Sequence, residues 1–193
     1  MGNVDKKAVP TGLLWVDLEM TGLNPQRDII LEVAAEVTDF QFNTLATYEA
    51  VVRQPAEKVA ERMQKNIWWQ DFPANRDEFI RKTGDTSVSK PSAEVEADLI
   101  ALVEQYFGLE HAVLAGNSIH NDRNFIKQWW PQLDLKLHYR MLDVSAWKLW
   151  MQGAYGLQYE KADVHRAQDD IQASIAELQY YLEWFAEQSR SND

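Results

Sequence analysis

The residues of this 193-residue chain best suited to chemistry are acids. Asp17 and Glu19 stand two apart in Trp15-Val-Asp-Leu-Glu-Met-Thr-Gly22, at the end of the apolar run Leu13-Leu14-Trp15-Val16. In a strand, residues i and i+2 point to one face, so both carboxylates project together from a strand apolar enough to be central. Two such groups repel, and burying them unpaired is costly. A hard divalent cation relieves that cost, because Mg²⁺ takes oxygen ligands and completes its shell with water or phosphate. The alternative is a solvated strand end with two surface acids. Asp122 closes the segment Gly116-Asn-Ser-Ile-His-Asn-Asp122, where a short apolar strand gives way to a polar loop and then a helix. An Asp there also has a purely structural use, as a cap and dipole partner. A third group, His165-Arg-Ala-Gln-Asp169-Asp170, opens the last helix, with His165 in the loop before it. A His beside several acids is placed as a general base, since its pKa lies near working pH, although a lone His is also a common surface residue. Singly these groups are ambiguous. Together they match two-metal phosphoryl transfer, in which one metal activates a water, the other supports the leaving oxygen, and the His takes the water's proton.

The elements that must position these groups can be read from periodicity. Residues 13–16 are a buried strand. Residues 31–39 alternate, with Leu31, Val33, Ala35 and Val37 on one face and Glu32, Glu36 and Thr38 between them. Residues 44–53 are rich in β-formers and pair antiparallel with the second strand across a short link. Residues 56–82 are helical but irregular, broken near Pro73. Residues 92–107 form a clearer helix, capped by Ser92, with Val95, Leu99, Leu102, Val103 and Tyr106 as one stripe. Residues 112–116 are a short buried strand, residues 121–130 a helix stopped by Pro131, residues 139–144 a fifth strand and residues 145–152 a short helix. A long helix follows His165, with Ile171, Ile175, Leu178, Leu182 and Phe185 inward. Three strands followed by strands alternating with helices describe an α/β fold, a mixed five-stranded sheet with helices packed on it.

Nothing in the composition marks a domain boundary. Residues 1–10 and 188–193 read as flexible tails around one domain, residues 11–187. Nineteen Lys and Arg against thirty Asp and Glu give a net charge of -11. That argues against coating long nucleic acid, which needs a broad basic face, but leaves room for a short nucleotide in a local pocket. The absence of cysteine excludes a disulfide scaffold, a thiolate zinc site and a cysteine nucleophile. No apolar run approaches the roughly 18 residues that span a bilayer, and Met1–Pro10 has no apolar signal-peptide stretch. No membrane association and a cytoplasmic location are therefore expected.

Asp17-x-Glu19, Asp122 and His165-x4-Asp170 resemble the three motifs of the DEDDh superfamily of 3′-to-5′ exonucleases. Within it, Trp15–Leu23, Gly116–Ile119, His138–Ser145 and Ala176–Tyr181 resemble the segments of the oligoribonuclease family. The resemblance covers residues 11–187 and is weakest over 56–92. It implies a ribonuclease H-like fold and a homodimer that hydrolyses very short RNA from the 3′ end to 5′-mononucleotides. It implies two divalent cations, Mg²⁺ or Mn²⁺, on Asp17, Glu19, Asp122 and Asp170, with His165 as general base. It further implies that Leu23 wedges between two bases. Ser118, Arg140, Ser145 and Lys148 would cap the 5′ phosphate, and Tyr139 would reach the partner's site.

Arg140 and Lys148 suit such a cap because they bring positive charge into an acidic chain. The chain departs from the family at two places. Met63 is followed by Trp68 and Trp69 at wider spacing than the family's Met and Trp, with no His between residues 20 and 110, and His120-Asn121 stands where Gly-Gln is usual. Either Trp can stack on a base or pack in the core. The competing functional readings are a DEDDh exonuclease that proofreads or trims longer single strands, and a catalytically dead nucleotide-binding module. The latter would have lost a carboxylate, and none is lost.

Overall fold

The computed structural model describes residues 10–160 and 167–190. The amino-terminal tail up to residue 9, His165, and residues 191–193 lie outside the described residues. The elements in chain order are β1 (Leu13–Met20), β2 (Ile30–Thr38), β3 (Thr44–Val52), α1 (Ala56–Gln64), α2 (Trp68–Asp71), α3 (Pro73–Gly84), β4 (Ser89–Lys90), α4 (Ser92–Phe107), β5 (Ala112–Gly116), α5 (His120–Trp129), α6 (Pro131–Asp134), β6 (Leu137–Asp143), α7 (Val144–Tyr155) and α8 (Ala167–Arg190). The strands form one mixed sheet in the order β4-β3-β2-β1-β5-β6. The β1–β2 and β2–β3 pairs are antiparallel, and the other three are parallel. The sheet thus has six strands where the sequence predicts five. The extra strand, β4, is two residues long, too short to show a period, and its Ser89 carbonyl accepts from the Arg53 guanidinium at 2.7 Å.

β1 is buried on both faces, which is why it reads as an unbroken apolar run. Leu14, Val16 and Leu18 face a core built with Val33, Leu99 and Ile126. Leu13 and Trp15 face a second core with Ile171, Ile175 and Leu178 of α8. The strand's period of two carries this second face onward to Asp17 and Glu19. The same sequence that buries α8 against Leu13 and Trp15 therefore brings its acidic first turn toward those two carboxylates.

β2 departs from the expected alternation. Its register with β1 slips between Glu19–Glu32 and Met20–Ile30, a bulge that leaves Leu31 over. Leu31 consequently joins Ile29, Val59, Met63, Trp69 and Phe79 under α1–α3, away from Val33, Ala35 and Val37. Glu36, which the alternation places between apolar residues, is fully buried beneath α8. Its carboxylate accepts from Thr44 Oγ1 at 2.6 Å, Gln168 Nε2 at 3.0 Å and Gln172 Nε2. A buried carboxylate is tolerated when every lone pair is answered, and here the donors come from a strand and from the first turns of α8.

Three further expectations are corrected. Ser92 is the first helical residue of α4 rather than its cap, because Pro91 holds that position and the Ser92 hydroxyl accepts from the Trp130 indole at 2.9 Å. On α8, Tyr181 rather than Leu182 continues the buried stripe, since the Tyr181 hydroxyl donates to the buried Glu177 carboxylate at 2.8 Å. Leu182 is exposed. α8 also runs on through Arg190, taking in residues the sequence assigned to the tail. Pro73 breaks the 56–82 region as expected, occupying the first turn of α3.

Glu36→Ala should destabilise the chain by about 1–2 kcal/mol, since it removes the buried carboxylate that two part-buried amides and a hydroxyl share as acceptor. Urea unfolding measures this, and an unchanged midpoint would show that Glu36 does not anchor α8.

Candidate active site

Three carboxylates converge at the end of β1. One oxygen each from Asp17, Glu19 and Asp170 lies within 4.8 Å of the others, and all three residues are half-buried. Asp122 approaches from the first turn of α5 and is itself buried. Its Oδ1 accepts the Leu18 N–H at 3.0 Å, which ties it to the peptide between Asp17 and Glu19. Burial pushes the Asp122 carboxyl well above its ordinary value, and the negative charges of Asp17 and Glu19 push the same way. An all-oxygen donor set of this kind fits a hard divalent cation, which Asp17, Glu19 and Asp170 could hold. His165 lies outside the described residues.

The turn after β1 builds a cavity beside Glu19. Asp28 accepts from Thr21 Oγ1 at 3.1 Å and from the Asn24 N–H at 2.9 Å. A Cβ on Gly22 would sit 2.7 Å from Asp28 Oδ2, so only glycine admits this closure. The turn leaves Leu23 pointing outward, 72% exposed. The Thr21 carbonyl accepts from Asn66 Nδ2 and from Trp69 Nε1, each at 3.1 Å. A cavity of about 290 Å³ results, lined by Glu19, Met20, Leu23, Asn66, Trp68 and Trp69 among others. Trp69 is 1% exposed and Trp68 is 37% exposed, with their rings edge to face at 4.5 Å. Trp69 thus belongs to the core, and Trp68 is the more exposed of the two, its ring also 4.5 Å from that of Phe72.

A second polar cluster lies at the ends of β5 and β6. Ser118 sits at φ +50°, a region non-glycine residues rarely adopt. Its N–H donates to Asp143 Oδ1 and to Ser145 Oγ, each at 3.0 Å, and the two hydroxyls are 3.1 Å apart. Asp143 also caps α7 by accepting the Ser145 N–H at 2.9 Å. Lys148 Nζ lies 4.0 Å from Glu177 Oε1, and Glu177 Oε2 accepts from Asn117 at 3.3 Å. The structure therefore gathers Ser118, Ser145 and Lys148. Arg140 and Tyr139 lie on β6, an edge strand, outside the hydrogen bonds of this cluster, and the Arg140 guanidinium is 5.1 Å from the centre of the Tyr139 ring. His120 lies 3.7 Å from Asp143.

The family model described as Exonuclease, of RNase T type, matches residues 14–178. The oligoribonuclease of Corynebacterium glutamicum (strain R) is 43% identical over 183 residues, covering 90% of this chain and 79% of its own. That of Pseudomonas aeruginosa PAO1 is 37% identical over 179 residues, covering 91% of this chain and 97% of its own. The chain belongs to the oligoribonuclease family of DEDDh exonucleases. Exonuclease I from Methylocaldum szegediense shares the ribonuclease H-like fold, with a TM-score of 0.57 at 17% identity over 86% of this chain. The chain spans only 39% of that protein. No described helix is long and apolar enough to cross a membrane.

For this oligoribonuclease relative, sequence reasoning missed Asp143 and Asn66, which organise the two clusters. Asp143 had a local signal, since an Asp two residues before Ser145 at a helix start reads as a cap. Asn66 had none, because its partner Thr21 is 45 residues away.

The folded chain, free of metal, holds the Asp122 proton to higher pH than the unfolded chain does. That stabilisation is complete below the ordinary carboxylate value near 3.8 and is lost as pH rises from there through the raised folded value. In chelator, the unfolding free energy of the wild type should therefore decline over that rise, and Asp122→Asn should flatten the decline. Denaturant titrations across pH measure both slopes, and identical slopes would contradict the electrostatic picture.

Proposed function

We propose that this chain is a 3′-to-5′ exoribonuclease acting on short RNA, dinucleotides above all, and releasing 5′-mononucleotides. The observation that carries the reading is the convergence of Asp17, Glu19 and Asp170 beside the buried Asp122. Its membership of the oligoribonuclease family supports the substrate class. Two divalent cations, Mg²⁺ or Mn²⁺, on Asp17, Glu19, Asp122 and Asp170 would polarise the scissile phosphate, acidify the attacking water and support the leaving 3′ oxygen. His165 takes the proton from that water as its oxygen bonds to phosphorus and the bond to the upstream 3′ oxygen breaks. Its place five residues before Asp170 supports this role. Residues 11–187 act as the single exonuclease domain, a reading supported by one sheet that runs from β1 to β6.

The cavity beside Glu19 suits the 3′ nucleoside, with Trp68 as a stacking surface worth roughly 1–3 kcal/mol. Leu23 stands between the two bases. Ser118, Ser145 and Lys148 offer hydroxyl and ammonium donors to the 5′ phosphate, joined by Arg140. A cap of this kind measures length, because only a short strand puts its 5′ phosphate there while its 3′ end is at the carboxylates. Homodimerisation is supported by exposed Leu149, Trp150 and Tyr155 on α7 and Leu182 on α8. In such a dimer Tyr139 of each copy reaches the site of the other.

The direct test is divalent-metal-dependent release of mononucleotides from a 5′-phosphorylated dinucleotide, set against a twenty-mer. Faster turnover of the twenty-mer would favour the trimming of longer strands instead. Asp17→Asn should abolish hydrolysis while leaving the metal-free fold as stable or more so, since it relieves repulsion. Retention of more than a small fraction of activity would exclude the metal site as the centre of the chemistry.

Arg140→Ala should lower kcat/KM on the dinucleotide by roughly ten- to hundredfold, the weight of one charge-assisted phosphate contact, and affect a heptamer far less. Tyr139→Ala should follow the same pattern. Equal losses at both lengths would exclude the length gauge, and a fully active monomer in sedimentation would exclude the cross-subunit role of Tyr139.

A further inference from the structure

A larger groove lies on the other side of Leu23. It has a volume of about 760 Å³ and runs between the turn after β1 and the carboxyl end of α1, with Leu23, Arg27, Glu61, Arg62, Lys65 and Asn66 in its walls. Leu23, Gly22 and Asn66 line both this groove and the cavity beside Glu19, so the exposed Leu23 side chain is the partition between them. The charged groups of the groove are not equally available. Asp28 is closed into the turn by Thr21 and Asn24. Glu61 and Lys65 satisfy one another at 2.6 Å across one helical turn. Arg27 and Arg62 have no ion-pair partner among the described residues. Arg62 has only a weak attraction to the neighbouring Glu61. Two uncommitted guanidinium groups therefore face a wide groove in a chain of net charge -11. Guanidinium groups are fork-shaped donors well matched to phosphate oxygens.

We propose that this groove is a subsite for the phosphodiester backbone of RNA longer than a dinucleotide, with Arg27 and Arg62 as its phosphate contacts. The inference rests on the exonuclease reading above, in which Leu23 separates two bases. The 3′ base lies on the side of Glu19 and Trp68, so the upstream nucleoside lies on the groove side. A dinucleotide ends there, and its 5′ phosphate turns toward Ser118 and Ser145. A third nucleotide cannot share that cap, and the groove receives the phosphates that follow. The chain would thus have two length-dependent contacts of opposite preference, the cap for two-mers and the groove for longer strands. Arg27 and Arg62 set specificity here and touch no reacting atom.

The test compares wild type with R27E/R62E on a 5′-phosphorylated dinucleotide and a heptamer, in the full chain with saturating Mg²⁺. The double variant should lose roughly tenfold or more in kcat/KM on the heptamer, mostly through KM, and change less than about twofold on the dinucleotide. The salt dependence of heptamer KM should also flatten by about 1.4 in log–log slope, the value for two released counterions on a single strand. R27K/R62K should restore most of that slope, which a merely structural role would not do. Equal losses on both substrates, or an unchanged heptamer, would overturn the proposal. So would a variant that alters only inhibition by free mononucleotide, which would make the groove an effector site. A wild type that cleaves neither substrate would instead refute the exonuclease reading.

Discussion

Mutual repulsion among carboxylates is the constraint on which the rest of the structure turns. Asp17, Glu19 and Asp170 are gathered within 4.8 Å, with Asp122 buried alongside. Left alone, these groups would push the end of β1 away from α5 and α8. What resists is placed on every side. β1 is held between β2 and β5, with both faces packed. The Leu18 N–H holds Asp122 in place. Glu36 grips Gln168 and Gln172, the residues flanking the two acids that open α8. The apolar stripe of α8 along Leu13 and Trp15 then sets the height of that helix over the strand. A carboxylate cluster of this kind is stable as architecture because its supports are spread over four elements.

The cavity beside Glu19 hangs from the same strand. Thr21 directly follows β1, and its carbonyl gathers Asn66 and Trp69 from the α1–α2 region. The cavity beside Glu19 is therefore in register with the carboxylates by covalent connection on one side and by two hydrogen bonds on the other. The Ser118–Ser145 cluster has an analogous link. β5 pairs parallel with β1, and Ser118 follows β5 by one residue beyond Asn117. Both regions that would grip a nucleotide thus move with the sheet that carries the acids, which is what preorganised phosphoryl chemistry requires.

How much of this was legible depended on sequence separation. The pairing of Asp17 with Glu19 needed only the strand period, and the acidic first turn of α8 needed only the helix start. Their meeting was suggested by chemistry rather than by any local signal. The error over Leu31 has a definite origin. Period two cannot foresee a bulge, and one extra residue sends that side chain to the opposite face. The burial of Glu36 was not legible in the pattern, because α8 covers it from more than 130 residues away. The choice between Trp68 and Trp69 was closed to sequence for the same reason, because the deciding bond, Trp69 to Thr21, spans 48 residues. Ser118 was legible as a polar loop residue, but its left-handed backbone follows from Asp143 and Ser145, which arrive from β6 and α7.

The net charge of -11 then takes on a functional meaning. Of the nineteen Lys and Arg in this chain, four lie at the places considered for a nucleotide: Lys148 at the Ser118 cluster, Arg140 on the β6 edge, and Arg27 and Arg62 in the groove beside Leu23. At physiological salt a phosphate feels other charges over roughly 8 Å, so each phosphate is attracted where a cation lies close and repelled where acids outnumber cations. In the proposed reading a dinucleotide carries few phosphates, and all of them sit at the metals or the cap. Every additional nucleotide adds a charge that must find a cation or face repulsion. Preference for short RNA therefore has two sources in this chain. One is the geometric limit that the proposed cap would set, and the other is the cost of laying a longer polyanion across a chain whose acids outnumber its cations by eleven.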